Sequence, residues 1–188
     1  MKEKNNKAIW NEPTISTEHI FKGKVISLQV DTVALPDGRT ATREIVKHPG
    51  AAAVVAIHDK KLIVVEQYRK PLGKTQIEIP AGKLDPNEEP IVAAARELEE
   101  ETGYIAHNLQ LLHQYYTSPG FADEILYTYF TNEVTIGQQH LDEDEDVVVR
   151  LITIDEADAF IASGDISDAK TLLAVNAWKL LQCTGSLT

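Results

Sequence analysis

The stretch from Gly82 to Tyr104, GKLDPNEEPIVAAARELEEETGY, constrains this chain more than any other. It reads as a helix that begins near Asn87 to Pro90, where Asn87 can cap and a proline is accommodated in the first turn, and that stops at Gly103. Glu97, Glu99, Glu100 and Glu101 all crowd its C-terminal end. A helix C-terminus carries partial negative charge, so each exposed anion there is disfavoured by about 0.3–1 kcal/mol. Something positive must offset the arrangement.

A helical wheel sorts these carboxylates. With Glu97 at zero and about 100° per residue, Glu100 falls near 300° and Glu101 near 40°, so the three converge while Glu99, near 200°, points away. By the same count Leu98, Ile91, Ala95 and Val92 lie between about 100° and 220° and form the apolar stripe expected to pack on a sheet. Like charges at this spacing repel, and a divalent cation removes the repulsion. Oxygen-only ligands favour Mg2+, Mn2+ or Ca2+ over softer metals. The plain structural alternative is a solvated acidic face balanced by surface lysines.

Composition narrows the partners. At 188 residues with 43% hydrophobic content, the chain can build one domain with a substantial core. Eighteen basic against 29 acidic side chains leave a net charge of −11, which argues against nucleic acid and against an anionic membrane surface. A phosphate-bearing ligand would therefore need a cation or a few placed arginines. Cys183 is the single cysteine, which excludes an internal disulfide and a multi-cysteine zinc site. No apolar run approaches the ~20 residues of a membrane span, and the first residues lack the apolar core of a secretory signal, so the expected location is cytoplasmic.

Periodicity supplies the remaining elements. Lys24 to Val46 alternates around Asp37-Gly38 and reads as a β-hairpin. The runs AAAVVAI and KLIVVEQYR, separated by His58-Asp59-Lys60, suit buried strands, and a short QIEIP follows. Beyond Gly103, strands are expected in LQLLHQYYT, EILYTYF and VVVRLITI, and helices in DEADAFIAS and DAKTLLAVNAWKLLQ. Helices interspersed in a largely mixed sheet fit an α/β sandwich and lack the regular alternation of a doubly wound fold.

Gly82, Glu88, Arg96, Glu97, Leu98, Glu100, Glu101, Gly103 and Tyr104 meet every fixed position of the pattern G-x5-E-x7-R-E-U-x-E-E-x-G-U, where U is bulky and apolar. This chain resembles the Nudix hydrolases. The resemblance implies a Nudix-type α/β/α sandwich with a mixed sheet and an N-terminal β-hairpin region. It also implies that Glu97, Glu100 and Glu101 are ligands to Mg2+, with Mn2+ as an alternative, that the Ala81 carbonyl adds to them, and that Arg96 and Glu88 are paired supports.

The segment YYTSPGFADE, with Pro119 fifteen positions after Tyr104, looks like the ADP-ribose pyrophosphatase subfamily, as do IEIPAGKLD, EQYRKP, REIVKHPGAAAVVAI and LDEDEDVVV. The likeness extends from about Phe21 to Leu181. Ser118-Pro119-Gly120 is also a plain tight turn. Asp142 to Asp146 would ordinarily be a solvated loop, and it lacks the glycine and closing glutamate of an EF-hand. In the resembled subfamily the corresponding loop carries a general base and a further metal-contacting glutamate, which fall here on Glu143 and Glu145. Asp142, Asp144 or the helix glutamates are the other candidates for the base.

Similarity further points to Arg43 and Arg69 as residues that grip the phosphates or terminal ribose, and to Glu124 at the far end of the substrate. Surface salt bridges are the alternative for each. The implied reaction is metal-assisted hydrolysis of ADP-ribose to AMP and ribose 5-phosphate, with a small-molecule nucleoside diphosphate sugar as partner. The resemblance suggests a homodimer formed through an N-terminal arm and hairpin, residues 1–46, ahead of a hydrolase domain, 47–188. Trp10 lies in that arm and could stack on adenine or simply pack. Two rival classes stand beside this reading: a hydrolase of another nucleoside diphosphate derivative, and a non-catalytic sensor of ADP-ribose. A sensor would be expected to lose the helix glutamates or to carry an added DNA-binding domain.

Overall fold

Gly38 adopts φ +83°, the left-handed region open to glycine, and the turn around it closes with Leu35 N–H donating to the Arg39 carbonyl at 2.8 Å. In the computed structural model, which describes residues 11–141 and 146–185, three strands meet here. They are β1 (Thr14–Lys22), β2 (Ser27–Ala34) and β3 (Thr40–Lys47), antiparallel in the order β1-β2-β3. The expected hairpin is β2 and β3. The Asp31 carboxylate, buried on β2, accepts from the hydroxyls of Thr14 and Thr17 on β1 and so ties the added strand down. Ser118–Glu124 belongs to the same unit. It hangs on β3 through Val46 N–H to the Phe121 carbonyl and Asp123 N–H to the Val46 carbonyl, with Lys47 paired to Asp123 at 2.7 Å.

The second unit comprises Pro49–Thr117 and the chain from Ile125 onward. Its centre is β4 (Ala51–His58) and β5 (Lys61–Arg69), joined at Asp59 and Lys60, both with positive φ as a two-residue hairpin turn of the twisted kind demands. Then come β6 (Lys74–Glu78), β7 (Ala81–Lys83), α1 (Pro90–Thr102), β8 (Tyr104–His107), β9 (Gln110–Tyr116) and β10 (Ile125–Thr131). They are followed by β11 (Glu133–Ile136), β12 (Val147–Ile152), α2 (Ile154–Ser163) and α3 (Ala169–Thr184). Seven strands form a mixed sheet along β12-β5-β4-β10-β9, with β6 on β5 and β7 on β4. The β4–β10 pair is parallel and the others are antiparallel. β8 and β11 make a separate two-stranded ribbon.

Period-2 alternation along β4 splits the core between two faces. Ala53 and Val55 join Leu62, Val64, Ile79, Val175 and Trp178 beneath α2 and α3. Ala52, Val54 and Ala56 join Ile63, Ala93, Ala94 and Leu98 beneath α1. Each fully buried large aliphatic side chain contributes about 1.5–3 kcal/mol. The result is the expected α/β sandwich. Among the described residues no helix is long and apolar enough to cross a membrane.

Two local expectations are corrected. The helix starts at Pro90 with Glu89 as its cap residue and no side-chain cap, while Asn87 sits at φ +65° inside the preceding turn. Asn87 tolerates that left-handed conformation, so it shapes the turn and does not cap the helix. The buried stripe of α1 is also rotated. Ile91 and Val92 are 44% and 55% exposed, whereas Ala93, Ala94, Leu98, Glu97 and Glu101 are buried. Alanines on the helix meet alanines on β4, so the backbones approach closely and the carboxylate-bearing side turns toward the sheet.

Candidate active site

The end of β7 and the length of α1 position the carboxylates. Arg96 organises them: its guanidinium makes five hydrogen bonds, which match its five N–H donors. Nε and Nη2 grip Glu88 at 2.9 Å each, Nη1 reaches Glu97 and Glu100 at 2.8 Å each, and Nη2 also meets the Lys83 carbonyl at 3.1 Å. The pairing with Glu88 is bidentate, a geometry that a lysine cannot reproduce. These bonds, that to Glu88 foremost, raise the Arg96 pKa, and the Arg96 guanidinium in turn holds the Glu88 carboxyl below its usual range.

Glu101 is fixed separately. It is 2% exposed and accepts a 3.0 Å hydrogen bond from Ala81 N–H, so β7 and the C-terminal turn of the helix are joined at the residues expected to act together. Gly82 stands against Glu97: a Cβ there would lie 2.0 Å from Glu97 Cδ. The carboxylate fills the room that the missing side chain leaves. Gly103, at φ +73°, ends the helix and donates to the Glu99 carbonyl at 2.7 Å.

Arg69, at the end of β5, is held by Glu78 on β6. Nε and Nη2 bond the two carboxylate oxygens at 2.7 and 2.8 Å, and Lys170 of α3 also contacts Glu78. Burial would raise the Glu78 pKa, but the hydrogen bonds from Arg69 and the charge of Lys170 outweigh it and hold the carboxyl at about 2. The Arg69 pKa is raised, first by its bond to Glu78 and further by the charge of Glu101. Arg43 and Glu124 lie in the first unit, where Arg43 is paired with Glu12 at 2.6 Å and Glu124 stands 3.7 Å from the His48 ring. Glu143 and Glu145, like Asp142, Asp144 and Trp10, fall outside the described residues.

Sequence reasoning missed Glu78, Lys170 and Gln139. The Gln139 amide donates to the Glu101 carbonyl at 2.7 Å. No local pattern singles out one of the two glutamines in QQH, and the Glu78 pairings join residues from three separate elements.

Residues 47–174 match the NUDIX domain, which covers more than half of the chain. The chain belongs to the Nudix family. Residues 12–46 match the nucleoside diphosphate sugar hydrolase N-terminal domain. Among Nudix relatives, the ADP-ribose pyrophosphatase of Bacillus subtilis (strain 168) is 52% identical over 167 residues, spanning 87% of this chain and 90% of the relative. The methanol dehydrogenase activator of Bacillus methanolicus is also 52% identical, over 170 residues, 89% of this chain and 92% of the relative. A crystal structure of an ADP compounds hydrolase superposes with a TM-score of 0.83 at 19% identity, covering 95% of this chain and 98% of that one, a likeness of fold.

Nudix hydrolases generally need divalent cations. The residues present fit one. The donors gathered by Arg96 and Ala81 are all oxygens, and the Gly82 cradle holds the Glu97 carboxylate in a place that a methyl group would take. Among the described residues no group of three or more His, Cys, Asp or Glu side chains stands ready-made as a metal cluster. Arg96 is what draws Glu97 and Glu100 together.

Proposed function

We propose that this protein hydrolyses the pyrophosphate linkage of ADP-ribose with Mg2+, giving AMP and ribose 5-phosphate. The observation that carries the reading is the 52% identity to an ADP-ribose pyrophosphatase across nearly the whole of both chains, with each glutamate of the helix intact. The intact glutamates also speak against a non-catalytic sensor.

Glu97, Glu100, Glu101 and the Ala81 carbonyl would hold the cation, with Glu145 as a further ligand. When bound, the dication neutralises pyrophosphate oxygens and makes a water a stronger nucleophile. The protein's own work is positional. Arg96 locks the carboxylates in one arrangement before substrate arrives, which spares reorganisation in the transition state. Glu143 accepts the proton of the attacking water as one P–O bond forms and the other breaks. Arg69, with Nε and Nη2 committed to Glu78, offers Nη1 to a phosphate oxygen from a rigid base. Arg43 and Glu124 serve the distal part of the substrate, and Arg43 must then exchange its bond with Glu12. We place the protein as a homodimer. All nine residues of β1 are exposed, with Ile15, Ile20 and Phe21 among them, a surface suited to a second copy.

A substrate panel in Mg2+ tests the assignment, comparing ADP-ribose, GDP-mannose and a dinucleotide by product analysis. ADP-ribose should give the highest kcat/KM, with AMP and ribose 5-phosphate in equal amounts. Another compound turning over as fast would replace ADP-ribose as the substrate. The equal similarity to the Bacillus methanolicus relative supports a second reading, activation of a methanol dehydrogenase. Addition of the protein to such an enzyme should then raise its rate of methanol oxidation, and an unchanged rate dismisses that reading.

A further inference from the structure

The chain beyond β11 folds back over the C-terminal end of α1. Gly137 N–H donates to the Gly103 carbonyl at 2.7 Å, His140 N–H to the Glu100 carbonyl at 2.9 Å, and the Gln139 side-chain amide to the Glu101 carbonyl at 2.7 Å. The two preceding carbonyls are closed locally: Thr102 Oγ1 donates to Leu98 and Gly103 N–H to Glu99. Of the last four carbonyls of the helix, those of Glu99, Glu100 and Glu101 each have a donor from beyond it.

Of the three carbonyls that the returning segment bonds, those of Glu100, Glu101 and Gly103, two belong to residues whose carboxylates are part of the site. A hydrogen-bonded carbonyl fixes its peptide plane, and the peptide plane fixes the direction in which the side chain leaves the backbone. The donors also set partial positive charge against the helix terminus, which lowers the cost of keeping anions there. Gly103 makes the approach possible, because a Cβ at that position would lie 3.0 Å from the Gln139 backbone nitrogen.

We propose that Gln139 is a positioning residue for the dication site, holding the Glu101 peptide so that its carboxylate and that of Glu100 meet one cation. The inference rests on the reading of the helix end as a metal site. Gln139 itself touches neither cation nor substrate; it acts through Glu101.

The test replaces Gln139 by methionine, which keeps the side chain's length and removes the donor, and measures Mn2+ affinity of the full chain by the signal of free Mn2+. The Mg2+ dependence of ADP-ribose turnover and the thermal midpoint in EDTA accompany it. Gln139→Met should raise the Mn2+ Kd and the half-saturating Mg2+ concentration about tenfold, the size expected for a group behind a metal ligand. At saturating Mg2+, kcat and the substrate KM should stay within about twofold of wild type, since the carboxylates themselves remain. Thr102→Val is the structural comparison, because it removes two bonds at the same helix end, that to the Leu98 carbonyl and that from Tyr104 N–H, without touching the Glu100 or Glu101 carbonyls. An unchanged Mn2+ Kd in Gln139→Met overturns the proposal, as does an equal rise in Thr102→Val at equal loss of thermal midpoint. Wild-type protein that takes up no Mn2+ overturns the underlying site assignment, and this proposal with it.

Discussion

Gly82 and Glu97 share one space: the carboxylate of Glu97 occupies the position where a side chain on Gly82 would begin, 2.0 Å from the site of its Cβ. The backbone of Gly82 does not require glycine by its φ, so close approach is the whole reason for the residue. Gly82→Ala should therefore push the Glu97 side chain off its bond with Arg96. The expected result is a loss of about tenfold or more in Mn2+ affinity. The thermal midpoint should move by only a few degrees, because the displaced atoms end a flexible side chain. Unchanged affinity would mean that Glu97 is not a ligand.

Arg96 brings one positive charge to Glu88, Glu97 and Glu100. Removing it by Arg96→Ala leaves carboxylates side by side, partly shielded from water. Partly buried pairs of this kind cost on the order of 2–3 kcal/mol when one partner is lost, somewhat below the figure for fully buried ones. Urea unfolding in EDTA should show that loss. Added Mg2+ should restore part of it, since a dication supplies the missing charge, and wild-type stability in EDTA would contradict the clamp. Arg96→Lys should behave nearer to Arg96→Ala than to wild type, for want of the planar fork.

Glu78 gives the fold an acid limit. Its carboxyl is held at about 2 against a usual 4.5, so the folded state favours the ionised form. The stabilisation is complete above pH 4.5 and is lost as pH falls from there toward 2, on the order of 3 kcal/mol across the window. Unfolding free energies from pH 6 to pH 3 should fall less steeply in Glu78→Gln than in wild type. Parallel curves would show that Glu78 is not the group responsible.

The rotated face of α1 yields a fourth expectation. Leu98→Ala should cost about 2–5 kcal/mol, whereas Ile91→Ser and Val92→Ser should each stay within about 0.5 kcal/mol of wild type. Thermal unfolding of the three variants decides between this face and the stripe read from the sequence.

That stripe shows where the sequence stops being sufficient. A hydrophobic wheel ranks isoleucine and valine above alanine, yet close packing against Ala52 and Ala56 of β4 favours Ala93 and Ala94, and the larger residues turn outward. Elements set by local chemistry were legible: the Asp37-Gly38 turn, the two buried runs of β4 and β5, and the stop at Gly103 all follow from residues within a few positions of one another. β1 was not, because its apolar side chains remain exposed and carry no half-buried alternation. In the site, helix periodicity puts Glu97 and Glu100 on one face, where both meet Arg96, while Glu101 bonds Ala81 N–H, and the pairing of Arg96 with Glu88 was readable from the family pattern. The arrangements around Glu78 and Gln139 depend on chain segments 92 and 38 residues away, and no pattern of spacing announces them.

The most direct measurement is a calorimetric titration of Mg2+ and Mn2+ into the wild-type protein and the Glu97→Gln/Glu101→Gln double variant, each with and without a nonhydrolysable ADP-ribose analogue. Wild type should take up the cation, more tightly when the analogue is present, and the double variant should lose that uptake. Equal uptake by both proteins, or none by wild type under either condition, would contradict the assignment of these carboxylates.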